Sequence, residues 1–445
     1  MINGYDIAYG LGVGVTAPYW LVKPSARRKV LGAFGNRMGE GLPQRDPARP
    51  AILIHAVSLG EMNATRSLVR MLQQLRPQLQ FIVSTTTDTG FARAQELYGN
   101  MPEVILIRYP LDFSNAVARV LDALRPDVVA LMELELWPNF IAACRHRAIP
   151  VVLINGRLTA SSFRNYSMIK PVAAGMLRSL AKVCVQDRTY ADRFLELGAP
   201  PENVVVTGTM KFDTAQVTDR VPGDEDLAAA VGLFPGAEPI WVAGSTGPGE
   251  EEIVLRVYRD LLGRGFSRLR LAIVPRHPTR FDEVAQVIQE MKFQVVRRSN
   301  PANRPENWVI PPVILGDTMG ELRKFYSLSS IVFVGRTLVD LGPRQHGSDM
   351  IEPAALARPV VVGPYTSNFA EVMNRFRAAD AVLQVPDGAA LGQTLSVLLS
   401  TPLEAAAMAR RAQETVRRNQ GATIEHVRVI LDQLQFRARV QAGAS

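Results

Sequence analysis

Cysteine is almost missing: Cys144 and Cys184 are the two in 445 residues, far apart and in apolar surroundings. They supply no disulfide framework and no metal-ligand spacing, which fits a reducing compartment. No cluster of His, Cys and Asp has ligand spacing, so metal-independent chemistry is expected, with no cofactor. Blocks of Lys and Arg are missing too. The basic residues are dispersed and do not interleave with aromatics, which leaves no nucleic-acid tail or module. Long apolar runs are also lacking. Tyr5 to Val22 is apolar but interrupted by Gly10, Gly12, Gly14 and Pro18, and a spanning helix needs roughly 20 mostly apolar residues. No small-residue cleavage site follows a basic stretch, as a signal peptide would have.

What is present points to a folded enzyme-sized chain. Its length predicts two domains, and 47% hydrophobic with 21% charged residues is a globular composition. A net charge of +8 suggests an anionic partner: nucleic acid, nucleotide, phosphorylated lipid or membrane surface. Lys23, Arg27, Arg28 and Lys29 directly follow the apolar Tyr5–Val22 segment. An aromatic apolar stretch before a basic cluster reads as a surface anchor over residues 1–30 on an anionic leaflet. A segment packed on its own domain fits the same residues, and both readings stay open.

Ile52 to Leu72 sets the theme of the first half. Ile52-Leu53-Ile54 is a short apolar run, Gly60 breaks it, and Ala64, Leu68, Met71, Leu72 and Leu75 recur at helical spacing. The pattern is strand, tight turn, helix, with Glu61 where the helix begins. Ligands of open α/β sheets bind outside the carboxyl ends of strands, so Glu61 is a candidate general base. Complementing the positive end of the helix dipole explains an acidic residue there equally well.

Apolar strands are predicted at Phe81–Ser84, Val104–Ile107, Val128–Met132, Pro150–Ile154, Ala181–Val185 and Val204–Val206. Residues 215–236, with Pro222, Gly223, Pro235 and Gly236, read as a linker containing a short helix from Asp226. Strands resume at Ile240–Ala243, Leu271–Val274, Val313–Leu315, Ile331–Val334 and Val360–Val362. The turn Gly244 to Glu250 has the composition of a phosphate cradle, a weak motif on its own. Continuous apolar strands alternating with helices imply parallel sheets covered on both faces. The expected fold is therefore α/β: two doubly wound Rossmann-like domains facing a central cleft, the GT-B arrangement of glycosyltransferases.

Several strings together resemble the 3-deoxy-D-manno-octulosonic acid (Kdo) transferases of lipopolysaccharide synthesis. They are HAVSLGE (55–61), STTTDTG (84–90), ELELWPN (133–139), NGRLT (155–159), GTMKFD (208–213), PRHP (275–278), GDTMGEL (316–322), EPAAL (352–356) and NFAE (368–371). They occur in the family's order over nearly the whole chain. The resemblance implies an inverting transfer of Kdo from CMP-Kdo to a lipid A precursor at the cytoplasmic face of the inner membrane. It implies an acceptor-binding domain over 31–214 and a CMP-sugar-binding domain over 237–445. Glu61 is then the general base, with Glu133 and Lys211 supporting the transition state; Glu135 is a weaker candidate that orders the Trp137-Pro138 turn instead.

For the donor, the resemblance implies Pro275 and Arg276 at the phosphate, Met319, Gly320 and Glu321 at the cytosine, and Asp349, Met350, Ile351 and Glu352 at the ribose. Asn368 and Glu371 complete the sugar site. His277 is expected to be a structural histidine bonded to a backbone carbonyl. Two departures from the family pattern stand out. Gly247-Pro248 follows Thr246 where a histidine is usual, and residues 335–352 replace a glycine-rich stretch and bring Arg336, Arg344 and His346. The alternatives are a GT-B transferase for another nucleotide sugar and a catalytically silent nucleotide-binding relative.

Overall fold

The apolar runs become strands of two parallel sheets. The structure, a computed structural model, describes residues 3–22, 33–303, 307–342 and 345–443. The chain divides into two compact units, one formed by Met1–Thr214 with Gln420–Ser445 and the other by Ala215–Asn419.

In the first unit the strands are β1 (Ala51–His55), β2 (Gln80–Thr85), β3 (Val104–Arg108), β4 (Val128–Met132), β5 (Val151–Gly156), β6 (Lys182–Val185) and β7 (Val204–Val206). All pair in parallel, in the spatial order β3-β2-β1-β4-β5-β6-β7. Side chains alternate between faces. Leu53, Ile82, Leu131 and Leu153 enter one core, and Ile52, Phe81, Ala130 and Val152 enter the other. Both faces are covered by helices, as a parallel sheet requires.

The second unit repeats the plan with β8 (Ile240–Thr246), β9 (Arg270–Pro275), β10 (Val295–Arg297), β11 (Val313–Leu315), β12 (Ile331–Val334), β13 (Val360–Val362) and β14 (Leu383–Gln384). Their order is β10-β11-β9-β8-β12-β13-β14. Gly335 ends β12 where a Cβ would come within 2.5 Å of the Thr246 Cα, so only glycine lets the ends of β8 and β12 approach this closely. In each sheet the chain first builds one side of the central strand and then crosses to its other side. The reversal falls between β1 and β4, and between β8 and β12. At such a switch point adjoining connections leave in opposite directions and open a crevice at the strands' carboxyl ends.

Two expectations need correction. Residues 215–236 are part of the second unit: Leu227, Ala228 and Val231 of the Asp224–Val231 helix are buried, and the Asp224 carboxylate is tied to Arg220 and Ser327. The second domain does not run to residue 445. The Ala422–Gly443 helix belongs to the first unit, where Ala422, Val427 and Ile430 join the core containing Ile52 and Ile54. Tyr5 to Val22, interrupted by glycines and a proline, nonetheless lies in one helix, Gly4–Val22. The basic cluster Lys23, Arg27, Arg28 and Lys29 lies outside the described residues.

Candidate active site

The switch point of the first sheet is flanked by two carboxylates. After β1 the chain turns through Ser58, which caps the Leu59–Leu75 helix. The Ser58 hydroxyl accepts the Glu61 N–H at 3.2 Å, while the Glu61 carboxylate accepts the N–H groups of Val57 at 2.9 Å and Ser58 at 3.2 Å. This is a reciprocal capping box. Glu61 therefore does serve the helix start, and the same bonds fix its orientation while each oxygen retains acceptor capacity.

Glu133 follows β4 with φ +55°, in the left-handed region that is costly for a residue with a Cβ, and donates its N–H to Ile154 at 3.0 Å. Burial, reinforced by the charge of Glu61, pushes its carboxyl up to about 6 against the opposing pull of Lys211 and Arg157. Lys211 is carried on the stretch beyond β7. Asn155 at the end of β5, also left-handed at φ +53°, accepts the neighbouring Met210 N–H at 3.2 Å. Glu135 accepts the Trp137 indole N–H at 3.0 Å and lies 3.7 Å from His55 Nε2. Although burial favours its neutral form, the nearby His55 ring and the hydrogen bond from Trp137 hold its carboxyl below the ordinary range. It orders the Trp137 turn.

In the second unit the glycine-rich turn is occupied by the protein itself. The fully buried Glu250 carboxylate accepts the N–H groups of Gly247 (2.8 Å), Arg336 (2.6 Å), Thr337 (2.9 Å) and Leu338 (2.9 Å). The expected phosphate cradle is thus a carboxylate clasp between the ends of β8 and β12. The cationic groups stand beside it. Exposed Arg276 follows β9 and is bonded through its N–H to Thr246 at 3.1 Å; Arg336 follows β12 at φ +60°. Burial and the charge of Arg276 hold the Arg336 guanidinium below its usual range. His277 is exposed; its carbonyl accepts the Arg280 N–H at 3.0 Å, but its ring makes no hydrogen bond to a backbone carbonyl among the described residues, contrary to expectation. Partial burial and the cations Arg276, Arg336 and Arg280 hold its pKa down.

Glu352 is pushed up to about 7 by burial and the charge of Asp349, with Arg323 and Arg276 pulling the other way. Asp349 accepts the Ile351 N–H at 2.8 Å. Pro275, Met350 and Ile351 have buried side chains, so their backbone is what they can offer a ligand. Met319, Gly320 and Glu321 sit on the loop after β11. Met319 is 73% exposed, Gly320 adopts φ +81°, and the Glu321 carboxylate is bound by Arg298 (2.9 Å), Thr318 (2.6 Å) and Lys324 (3.3 Å). Asn368 and Glu371 follow β13, and Glu371 pairs with Arg375 at 2.7 Å. His346 is held by Asp340 and Ser367; Arg344 lies outside the described residues.

The first unit thus gathers Glu61, Glu133 and Lys211, and the second gathers Arg276, Asp349 and Glu352 around the buried Tyr326 ring. Arg157 and Asn155 were not singled out from sequence, although the NGR string at the end of β5 carries both. Among the described residues no group of three or more His, Cys, Asp or Glu is placed to hold a metal ion.

Residues 33–214 match the family model for 3-deoxy-D-manno-octulosonic-acid transferase (kdotransferase). A 3-deoxy-D-manno-octulosonic acid transferase of Haemophilus influenzae is 36% identical over 84% of this chain and 85% of its own length. The enzyme of Bordetella pertussis bearing the same name is 32% identical over 85% of this chain and 86% of its length. The chain belongs to the Kdo transferase family. It is a glycosyltransferase, and the motifs quoted from its sequence mark it as one for Kdo.

Solved structures agree on the fold of this transferase. A glycosyltransferase from Rickettsia africae superposes with a TM-score of 0.56 at 15% identity, covering 87% of this chain and 99% of that one. UDP-GlcNAc 2-epimerase from Neisseria meningitidis gives 0.56 at 15% identity, covering 86% and 100%. With two parallel seven-stranded sheets, the transferase has the two-domain Rossmann-like GT-B fold.

Proposed function

We propose that the transferase moves Kdo from CMP-Kdo to a hydroxyl of a lipid A precursor, with inversion, at the cytoplasmic face of the inner membrane. The observation that carries this reading is the grouping of Glu61, Glu133 and Lys211 at the switch point of the first sheet, on the family's own motifs. In an inverting transfer a base removes the acceptor proton as the anomeric carbon is attacked from the face opposite the nucleotide. Glu61 takes that role; its capping bonds orient the carboxylate, and geometry within hydrogen-bond reach is the first requirement of a base. Lys211 balances the carboxylate of the sugar, and Glu133, its pKa raised to about 6 by burial and Glu61, supports the developing charge.

The second unit holds the donor. Arg276 meets the phosphate of CMP, since a guanidinium forms charge-assisted bonds to an oxyanion. Glu352 and Asp349 take the ribose, with backbone from Pro275, Met350 and Ile351. The Met319–Glu321 loop takes the cytosine, and Asn368 and Glu371 take the sugar. The leaving phosphate is met by cationic side chains, and chelation is expected to leave the rate unchanged.

Membrane contact is assigned to the Gly4–Val22 helix. Its inner side is tied down by Asp6, which accepts from the Ser114 N–H at 2.7 Å and from Asn139 Nδ2 at 3.1 Å. Ile7, Leu11 and Val15, spaced four residues apart, are 60%, 67% and 81% exposed and form an apolar stripe. No helix among the described residues is long and apolar enough to cross a membrane, and a stripe of this kind suits a helix lying in the interface.

The test is transfer from CMP-Kdo to tetraacylated lipid A precursor, with products resolved by mass. Added Kdo masses establish the reaction and count the sugars transferred. No product, with CMP still bound in a parallel titration, removes the proposed sugar or acceptor and keeps the nucleotide site.

A further inference from the structure

The first sheet has a second polar end. At the amino ends of β1, β4 and β5, opposite the carboxylates, lies an open cavity of about 510 Å³. Pro50, Asp127 and Ile149, at or just before the starts of these strands, line it, and Leu434 and Arg437 of the Ala422–Gly443 helix close one side. A five-residue strand spans roughly 17 Å at about 3.3 Å per residue, so this cavity is separate from the Glu61–Glu133 crevice.

Its lining is strongly cationic. Arg45, Arg49, Arg125, Arg147 and Arg437 face only Asp122 and Asp127, an excess of three positive charges. Most of their bonds go to neutral groups. Arg45 Nη1 donates to the carbonyls of Leu124 (3.1 Å) and Arg125 (2.7 Å), and Arg49 Nε to that of Gln78 (2.9 Å). Arg437 Nη1 donates to the carbonyls of Pro126 (3.0 Å) and Asp127 (3.2 Å). Backbone carbonyls orient a guanidinium without cancelling its charge. The Arg45 side chain is 8% exposed, with Nη2 3.5 Å from the Asp127 carboxylate and an Nε–H without an acceptor; the Arg437 side chain is 13% exposed, and its Nε, 3.8 Å from the same carboxylate, makes no hydrogen bond. Burying unsatisfied donors on cations is costly, and an anion placed among them would relieve that cost. Desolvation accordingly holds both guanidiniums below their usual range.

We propose that this cavity is a binding site for a small soluble phosphorylated anion of the monophosphate or diphosphate class. Arginine in a fixed array is the preferred partner of phosphate oxygens. A lipid headgroup is the less suitable source. The Gly4–Val22 helix docks through Asp6 at Ser114 and Asn139, which begin the helices after β3 and β4 at the other end of the sheet. Because Arg437 lies on the C-terminal helix and Arg45 before β1, a bound anion would bridge the two and fasten that helix to the unit.

The test is calorimetric titration of the full chain with inorganic pyrophosphate in saturating CMP, which occupies the nucleotide site. Saturable binding is expected, weakened at least tenfold in Arg437→Gln and in Arg147→Gln. Arg147 pairs with Asp122 near the surface, so its variant folds even if the other does not. No saturable binding, or unchanged affinity in folded Arg147→Gln, overturns the proposal. Sedimentation with phosphatidylglycerol vesicles separates the sources: equal binding by wild type and Arg147→Gln is expected, and loss in the variant overturns the soluble assignment.

Discussion

Glu61 and Glu133 stand at the carboxyl ends of neighbouring strands, and the charge of the first adds to burial in raising the second to about 6. Their surroundings differ: Glu61 accepts two backbone N–H bonds at the start of its helix, whereas Glu133 lies where burial disfavours a carboxylate.

The raised Glu133 group gives a stability signature. Because its pKa is higher in the folded state than the ordinary 4.5, its contribution is full below about 4.5 and is lost as pH rises through about 6. Glu133→Gln removes the titration. Its melting temperature, relative to wild type, is expected to rise between pH 5 and pH 7.5, by the equivalent of about 1 kcal/mol. A difference that stays constant across that range excludes a raised Glu133.

Glu61 carries a structural duty and a proposed chemical one, and two substitutions part them. In Glu61→Gln the amide oxygen still accepts a capping N–H, so the fold persists while turnover falls by at least a hundredfold, the scale of a lost general base. Glu61→Ala loses the cap as well and is expected to melt earlier, by about 1 kcal/mol. CMP titration should give wild-type affinity in both. A Gln variant with normal turnover removes Glu61 from the base role.

Much of this was legible in sequence because central parallel strands are buried on both faces. Ile52–Ile54, Val128–Met132 and Val360–Val362 announce themselves as unbroken apolar runs. The edge strands of the second sheet did not. Val295–Arg297 and Leu383–Gln384 are short and partly or wholly exposed, so no apolar pattern marks them. The destination of the last helix was hidden for another reason: the spacing of Val427, Ile430, Leu431 and Leu434 declares an apolar face, but not which core receives it. In the site, the carboxylates could be placed from strand ends and motifs, whereas Asn155 acts through a left-handed backbone and a bond to Met210 that only three dimensions reveal. The glycine turn misled because its filling group, Glu250, lies within the same stretch.

The ribose role proposed for Glu352 predicts that nucleoside binding depends on pH. If its carboxylate accepts the ribose hydroxyls, binding requires the ionised form, and its pKa of about 7 makes that form scarce in mildly acid solution. Cytidine, which has no phosphate to titrate, is the suitable probe. Its affinity is expected to fall roughly tenfold from pH 8 to pH 6, the slope of one required deprotonation below the pKa. Glu352→Gln should bind weakly with a flat profile. A flat wild-type profile removes the ribose assignment.

His426 provides a second pH response, located on the helix that returns to the first unit. Its ring is fully buried, Nδ1 has no hydrogen-bond partner, and burial pushes its pKa down to about 4. The unfolded chain, with an ordinary histidine near 6.5, takes up the proton first. The contribution is therefore full above about 6.5 and is lost as pH falls towards 4, with an upper limit of about 3 kcal/mol. Since the helix joins the core through Val427 and Ile430, it can open locally before the sheet unfolds. Hydrogen exchange of peptides within Ala422–Gly443, corrected for intrinsic rates, should be faster at pH 5 than at pH 7.5, while β1 and β4 stay protected. His426→Leu removes the titrating group and should make the corrected rates equal at the two pH values. A wild-type helix equally protected at both, or a variant that keeps the acid response, would show that His426 does not govern this docking.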